Sequence, residues 1–169
     1  MEKPVERLWA PWRGEYVENN SRTTDPQQCV FCALHDASVG PEHWVLHQSE
    51  HVLVVMNKFP YSNGHLLVMP KKHVSDFETL PEEVSHVLHA RLGACVTLVK
   101  RVLRCHGVNV GLNLGAAAGA GVPGHMHYHV VPRWEGDSNF MPVVAETKVI
   151  SQHMLATYQL LRNACAQWT

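Results

Sequence analysis

His125, His127 and His129 alternate with Met126, Tyr128 and Val130. Successive side chains of a strand take opposite faces. The alternation predicts a strand over residues 125–131, with three imidazoles on one face at steps of about 6.6 Å. Met126, Tyr128 and Val130 would turn into a core. Three protonated imidazoles so placed would repel, so at least some are neutral. A neutral imidazole can be a nucleophile, a metal ligand or a hydrogen-bond relay. A second cluster, Cys29-Val30-Phe31-Cys32, offers two thiols. These could be a redox pair, metal ligands or packed thiols. A redox pair of this kind opens a helix after a strand, and no strand pattern precedes Cys29.

The elements that must position these groups are legible. Strand patterns run over residues 44–47, 51–56 and 65–69, the third entered through the turn Tyr61-Ser62-Asn63-Gly64. Their close spacing favours antiparallel pairing. Leu80, Val84, Val87, Leu88, Leu92, Cys95, Val99, Val102 and Leu103 recur at helical spacing. They predict one long helix over residues 80–105, with a capping box from Thr79 to Glu82 and an end before Gly107. Its polar face carries His86 and His89, expected in solvent. Strands follow at residues 108–114 and 125–131, and a helix at 151–167 closes the chain. The expectation is an α+β domain: an antiparallel sheet of about five strands, one long helix and a C-terminal helix. Residues 1–28 are expected to form an extension whose Trp9 and Trp12 pack on the body or a partner subunit, and residues 29–169 the domain.

Composition excludes several classes. Fourteen Lys+Arg against fifteen Asp+Glu leave a net charge of −1, with no basic surface for nucleic acid. Residues 105–132 lack charged side chains but are broken by glycine, proline and histidine, so no membrane span is expected. Met1-Glu2-Lys3-Pro4 lacks an apolar region, so no secretory signal is expected. Five cysteines, an odd number, suit free thiols in a reducing compartment, hence a cytoplasmic protein. Thirteen histidines point towards chemistry.

The stretch His125-Met126-His127-Tyr128-His129-Val130-Val131 matches the signature His-φ-His-φ-His-φ-φ, with φ apolar. The chain resembles the histidine triad (HIT) family of nucleotide hydrolases and transferases over roughly residues 29–150. Asn57 through His65 resembles the family's nucleotide-binding turn, and Asn113 with Gly115 and Gly119 its glycine-rich approach to the triad. Leu8-Trp9-Ala10-Pro11-Trp12-Arg13 and the stretch from Pro132 to Val143 resemble a bacterial subgroup that includes diadenosine tetraphosphate phosphorylases.

The resemblance implies a HIT-like fold and a set of roles. His127 would attack the α-phosphorus of a nucleotide and form a nucleotidyl-histidine. Its other ring nitrogen would be held by a backbone carbonyl near the first histidine. His129 and His65 would contact phosphate oxygens. Asn57 would bind ribose, and Asn113 would orient the phosphate or the nucleophile. Many relatives place Gln and Ser or Thr where this chain has Gly121 and Val122. Backbone N–H groups of Ala120 to Val122, in a loop with Gly119, would then cradle the phosphates. The resemblance also implies a structural zinc on Cys29, Cys32, His73 and His125, no organic cofactor, and a homodimer with the long helix or a strand edge at its interface. The substrate would be a dinucleoside polyphosphate, with phosphate as acceptor. The alternatives are a hydrolase using water, on dinucleoside polyphosphates or nucleoside phosphoramidates, and a non-catalytic nucleotide-binding or zinc-held interaction module.

Overall fold

The computed structural model describes residue 27, residues 29–137 and residues 153–168. The expected N-terminal extension falls almost wholly outside them, as does the 138–143 stretch of the subgroup resemblance.

Five strands form one antiparallel sheet: β1 (Val45–Gln48), β2 (Val52–Met56), β3 (Leu66–Pro70), β4 (Gly107–Leu112) and β5 (Tyr128–Arg133). Their order is β1-β2-β3-β5-β4, so β1 and β4 are the edges. Among the described residues, two α-helices, α1 (Glu82–Leu103) and α2 (Met154–Ala164), pack on the sheet. The expected α+β fold with an antiparallel five-stranded sheet is what forms.

Alternation along β2 explains its continuous apolar run. Val52, Val54 and Met56 face α1 and α2, in a core with Leu66, Val68, Met126, Tyr128 and Val130. Leu53 and Val55 face the other way, with Val45, Leu67, Met69, Cys29 and Phe31. The segment carrying the two cysteines thus covers the sheet opposite the helices. Both faces of β2 and β3 are buried, and alternation of polarity is not required there. No helix among the described residues is long and apolar enough to cross a membrane.

Two expectations need correction. The capping box at Thr79 does not form. Leu80 precedes a proline, which disfavours the helical region for it, and it is extended at φ −85°, ψ 123°. Its N–H closes a tight turn on Phe77, Thr79 Oγ1 donates to the Asp76 carbonyl, and Pro81 is the N-cap. The helix ends at Leu103, where Arg104 takes the left-handed conformation and donates its N–H to the Lys100 carbonyl. The second correction concerns the triad strand. Ladder pairing begins at Tyr128, opposite Val68, so His125 and His127 lie in the extended approach to β5. Continuing the register would bring Met126 to Pro70, which has no N–H to give. Met126 N–H donates instead to the Val74 carbonyl at 2.7 Å. The facing pattern survives, with Met126, Tyr128 and Val130 all in the helix-side core.

His89 is exposed, as expected, and also contacts the triad strand. Its Nε2 lies 3.2 Å from the Tyr128 hydroxyl. His86 is exposed, as expected.

Candidate functional site

The site lies on the sheet face opposite the helices. Leu67 points to that face, and His129 is its cross-strand partner. Directly opposed residues of an antiparallel pair share a face. His65 precedes Leu67 by two positions and takes the same side. The two imidazoles therefore meet, with His65 Nε2 2.9 Å from His129 Nδ1.

A tight turn holds His65 in place. Asn57 N–H donates to the His65 carbonyl at 2.8 Å, and His65 N–H to the Ser62 carbonyl at 3.2 Å. Thr157 on α2 donates its hydroxyl to Asn63 Oδ1 at 3.0 Å, which ties the turn to the helix layer. Gly64 adopts φ +71°, and a Cβ there would collide with the Leu103 side chain. The turn needs glycine on both counts.

The hydrogen bonds set the tautomers. Tyr61 N–H donates to His65 Nδ1 at 3.0 Å, and the Asn57 side-chain amide reaches the same atom at 3.3 Å. An atom that accepts a backbone N–H carries a lone pair, so the His65 proton sits on Nε2. It is donated to His129 Nδ1, which places the proton of a neutral His129 on its Nε2. Burial first, and His127 second, hold His129 down at about 4, so it is neutral at pH 7. His127 is buried, and its Nδ1–H donates to the His125 carbonyl at 2.8 Å. Its Nε2 therefore carries the free lone pair. Burial lowers its pKa and the carbonyl partner acts the other way. Phe31 packs on its ring, with centroids 4.9 Å apart.

His125 faces a different pocket. Its Nε2–H donates to the Pro70 carbonyl at 2.8 Å, leaving Nδ1 bare. That atom lies 3.5 Å from Cys29 Sγ and 3.6 Å from Cys32 Sγ. Cys32 Sγ is in turn 3.2 Å from His73 Nδ1. The four donor atoms of Cys29, Cys32, His73 and His125 all lie within 4.8 Å of one another. Tetrahedral zinc with ordinary bond lengths needs sulfur and nitrogen donors about 3.5 Å apart. Donor chemistry and spacing both fit a closed metal site, and the Pro70 carbonyl supplies the outer hydrogen bond that orients such a histidine. Burial, reinforced by Cys29, pushes the Cys32 thiol up to about 11, so metal capture must displace its proton.

Other expected residues sit differently. Asn57 spends its Oδ1 on the Phe59 N–H at 2.9 Å and belongs to the hydrogen-bond chain of His65. Asn113 donates to the Gly119 carbonyl at 3.3 Å, so it braces the glycine loop. Ala120 N–H is taken by the Gly115 carbonyl at 3.3 Å, which removes it from the expected phosphate cradle. Gly121 and Val122 remain half-buried beside the triad. Tyr61 and Phe31 were not anticipated. Tyr61 stacks on His65 and His129, with centroids 4.9 and 5.6 Å apart. Their place inside the two motifs, one in the turn and one between the cysteines, was the available signal.

The family model described as HIT domain matches residues 40–136. The AP-4-A phosphorylase of Mycobacterium tuberculosis is 37% identical over 167 residues, covering 96% of this chain and 86% of that protein. The crystal structure of a Zn-bound histidine triad family protein from Mycobacterium smegmatis aligns with a TM-score of 0.66 at 29% identity, covering 85% of this chain and 96% of that one. A hypothetical histidine triad nucleotide-binding protein from Sulfolobus tokodaii shares the fold at a TM-score of 0.66 and 24% identity, covering 82% of this chain and 92% of its own. The hydrogen-bonded pair His65 and His129 beside the carbonyl-held His127, the His-φ-His-φ-His run and these likenesses agree: this chain belongs to the histidine triad family.

Proposed function

We propose that this protein cleaves dinucleoside polyphosphates, diadenosine tetraphosphate first among them, through a nucleotidyl-histidine at His127, with inorganic phosphate as acceptor. The carrying observation is the 2.8 Å bond from His127 Nδ1–H to the His125 carbonyl. It leaves Nε2 with a lone pair at neutral pH, which a nucleophile requires. The likeness to a 37% identical AP-4-A phosphorylase supports both the enzymatic reading and the substrate class.

His127 Nε2 attacks the α-phosphorus; the N–P bond forms as the P–O bond to the leaving nucleotide breaks. His129, with its proton on Nε2, donates to oxygens on which charge develops. A phosphate oxygen then attacks the same phosphorus and the P–N bond breaks. Diadenosine tetraphosphate and phosphate give ATP and ADP. Asn57 and His65 hold His129, Asn113 braces the loop, the Gly119 N–H closes it on the Ala116 carbonyl at 2.9 Å, and the N–H groups of Gly121 and Val122 serve the phosphates.

Zinc held by Cys29, Cys32, His73 and His125 would be structural, with all four positions filled by protein; when bound it fixes the two-cysteine segment on the sheet and supplies no step of the reaction. All five cysteines are free thiols, which supports a reducing, cytoplasmic setting. Edge strand β4 exposes Val110 and α1 exposes Val87, which supports a homodimer through the strand edge or the long helix.

Product analysis with diadenosine tetraphosphate, with and without phosphate, tests the reading. ATP plus ADP, at a rate that rises with phosphate, is expected. AMP plus ATP at a rate indifferent to phosphate makes the protein a hydrolase. Nucleotide binding with no turnover makes it a binding module.

A further inference from the structure

We propose that Tyr61 is a positioning residue: its amide sets the tautomer of His65 and its ring clamps the His65–His129 pair, so that His129 presents its Nε2–H to the substrate. The proposal rests on the function proposed above and adds to it a residue that never touches the reacting atoms.

Two contacts of different kinds come from this one residue. The backbone N–H donates to His65 Nδ1 at 3.0 Å. The ring lies over His65 with 30° between planes and over His129 with 25°. The imidazoles themselves are bonded Nε2 to Nδ1 at 2.9 Å, so one phenol ring spans both partners of a single hydrogen bond. That bond fixes the rotation of His129 from the β3 side, and a hydrogen bond weakens steeply as its angle departs from linear. A plate over both rings resists that rotation. Tyr61 remains 45% exposed, so it forms the boundary between the pair and water. Its own place is secured from below, because the turn is tied to α2 through Asn63 and Thr157.

The relation also explains why the turn carries an aromatic ring at a half-exposed position. A loop residue kept only for the bend needs no flat side chain, and Gly64 already provides the bend.

The test uses the full chain loaded with zinc. Steady-state cleavage of diadenosine tetraphosphate and exchange of the His65 Nε2 proton, read by NMR on protein carrying ¹⁵N-labelled histidine, are measured side by side. Tyr61→Ala is expected to lower kcat about tenfold or more while KM stays within about twofold, because a positioned donor acts in the transition state. Exchange of the His65 proton should accelerate about tenfold, the upper range for a stacked aromatic contact. Tyr61→Phe should keep both properties. Tyr61→Leu, which preserves apolar bulk, should fail as Ala does, and it serves if the Ala variant does not fold. Wild-type kcat and exchange in Tyr61→Ala overturn the proposal. So does a Tyr61→Phe variant that loses as much as Ala, since the hydroxyl would then carry the role. If the wild type turns nothing over, the enzymatic reading fails, and the exchange measurement still decides whether Tyr61 clamps the pair.

Discussion

His125 and His127 are joined through the backbone of one and the ring of the other: the His125 carbonyl accepts from His127 Nδ1–H at 2.8 Å. The ring of His125 is turned to the thiols of Cys29 and Cys32. One residue thus places a metal donor and orients a neighbouring imidazole. Phe31, held between the two cysteines, packs on both rings.

His127→Ala is expected to lower turnover by roughly 10⁴-fold or more while nucleotide affinity changes little, as when a group acting in the transition state is removed. Stopped assays on diadenosine tetraphosphate paired with calorimetric binding of a nucleotide read the two quantities. A variant retaining a tenth of wild-type kcat would falsify the nucleophile assignment.

Elemental analysis of protein purified without chelator should find about one zinc per chain, the stoichiometry of a closed four-donor site. Cys29→Ser with Cys32→Ser should lose the metal and lower the melting temperature, because binding free energy is folding free energy. Unchanged metal content and melting temperature in the double variant exclude the site.

Acidification should destabilise the fold through His47. Burial, reinforced by Arg91 and Arg162, holds its pKa down at about 4. The unfolded imidazole titrates near 6.5, so between these values the unfolded chain binds the extra proton. Unfolding free energy therefore falls as pH drops through this window, by up to about 1.4 kcal/mol per pH unit for this one group. His47 Nε2 also has no hydrogen-bond partner among the described residues, so His47→Leu removes an orphan there as well as a proton site. Urea titrations at pH 7, 6 and 5 should show a shallower pH dependence for His47→Leu than for wild type. Coincident slopes would mean that the native His47 takes up protons as readily as the unfolded chain does.

Gly64→Ala should cost about 2 kcal/mol or more, since positive φ and a collision with Leu103 act together. Because His65 is the next residue, kcat should fall more than stability alone accounts for. A variant with native melting temperature and native kcat would show that the turn tolerates a side chain there.

Much of the frame was legible in the amino-acid pattern. Alternation in residues 125–130 predicted which side chains enter the core, because strand geometry has a period of two wherever one face is buried. The apolar spacing of residues 80–103 marked a helix for the same kind of reason. The four-donor cluster came only through the family resemblance, since Cys29, His73 and His125 are distant in sequence and no periodicity joins them.

Tertiary structure decided the rest. Where the triad strand begins depends on Pro70, a residue of another strand that has no N–H to offer. The start of α1 was a local matter instead: Pro81 disfavours the helical region for Leu80, which outweighed the Thr79–Glu82 pattern. Protonation sites could not be read from residue types at all. An imidazole has two nitrogens, and its partners in the fold choose between them: the Pro70 carbonyl for His125, the His125 carbonyl for His127, the Tyr61 N–H for His65, and His65 for His129. Sequence determined which imidazoles share a face. Contacts of the folded chain, long-range for His125 and His129 and within a few residues for His127 and His65, determined which nitrogen of each carries a proton, and hence which can attack, which can donate and which can bind a metal.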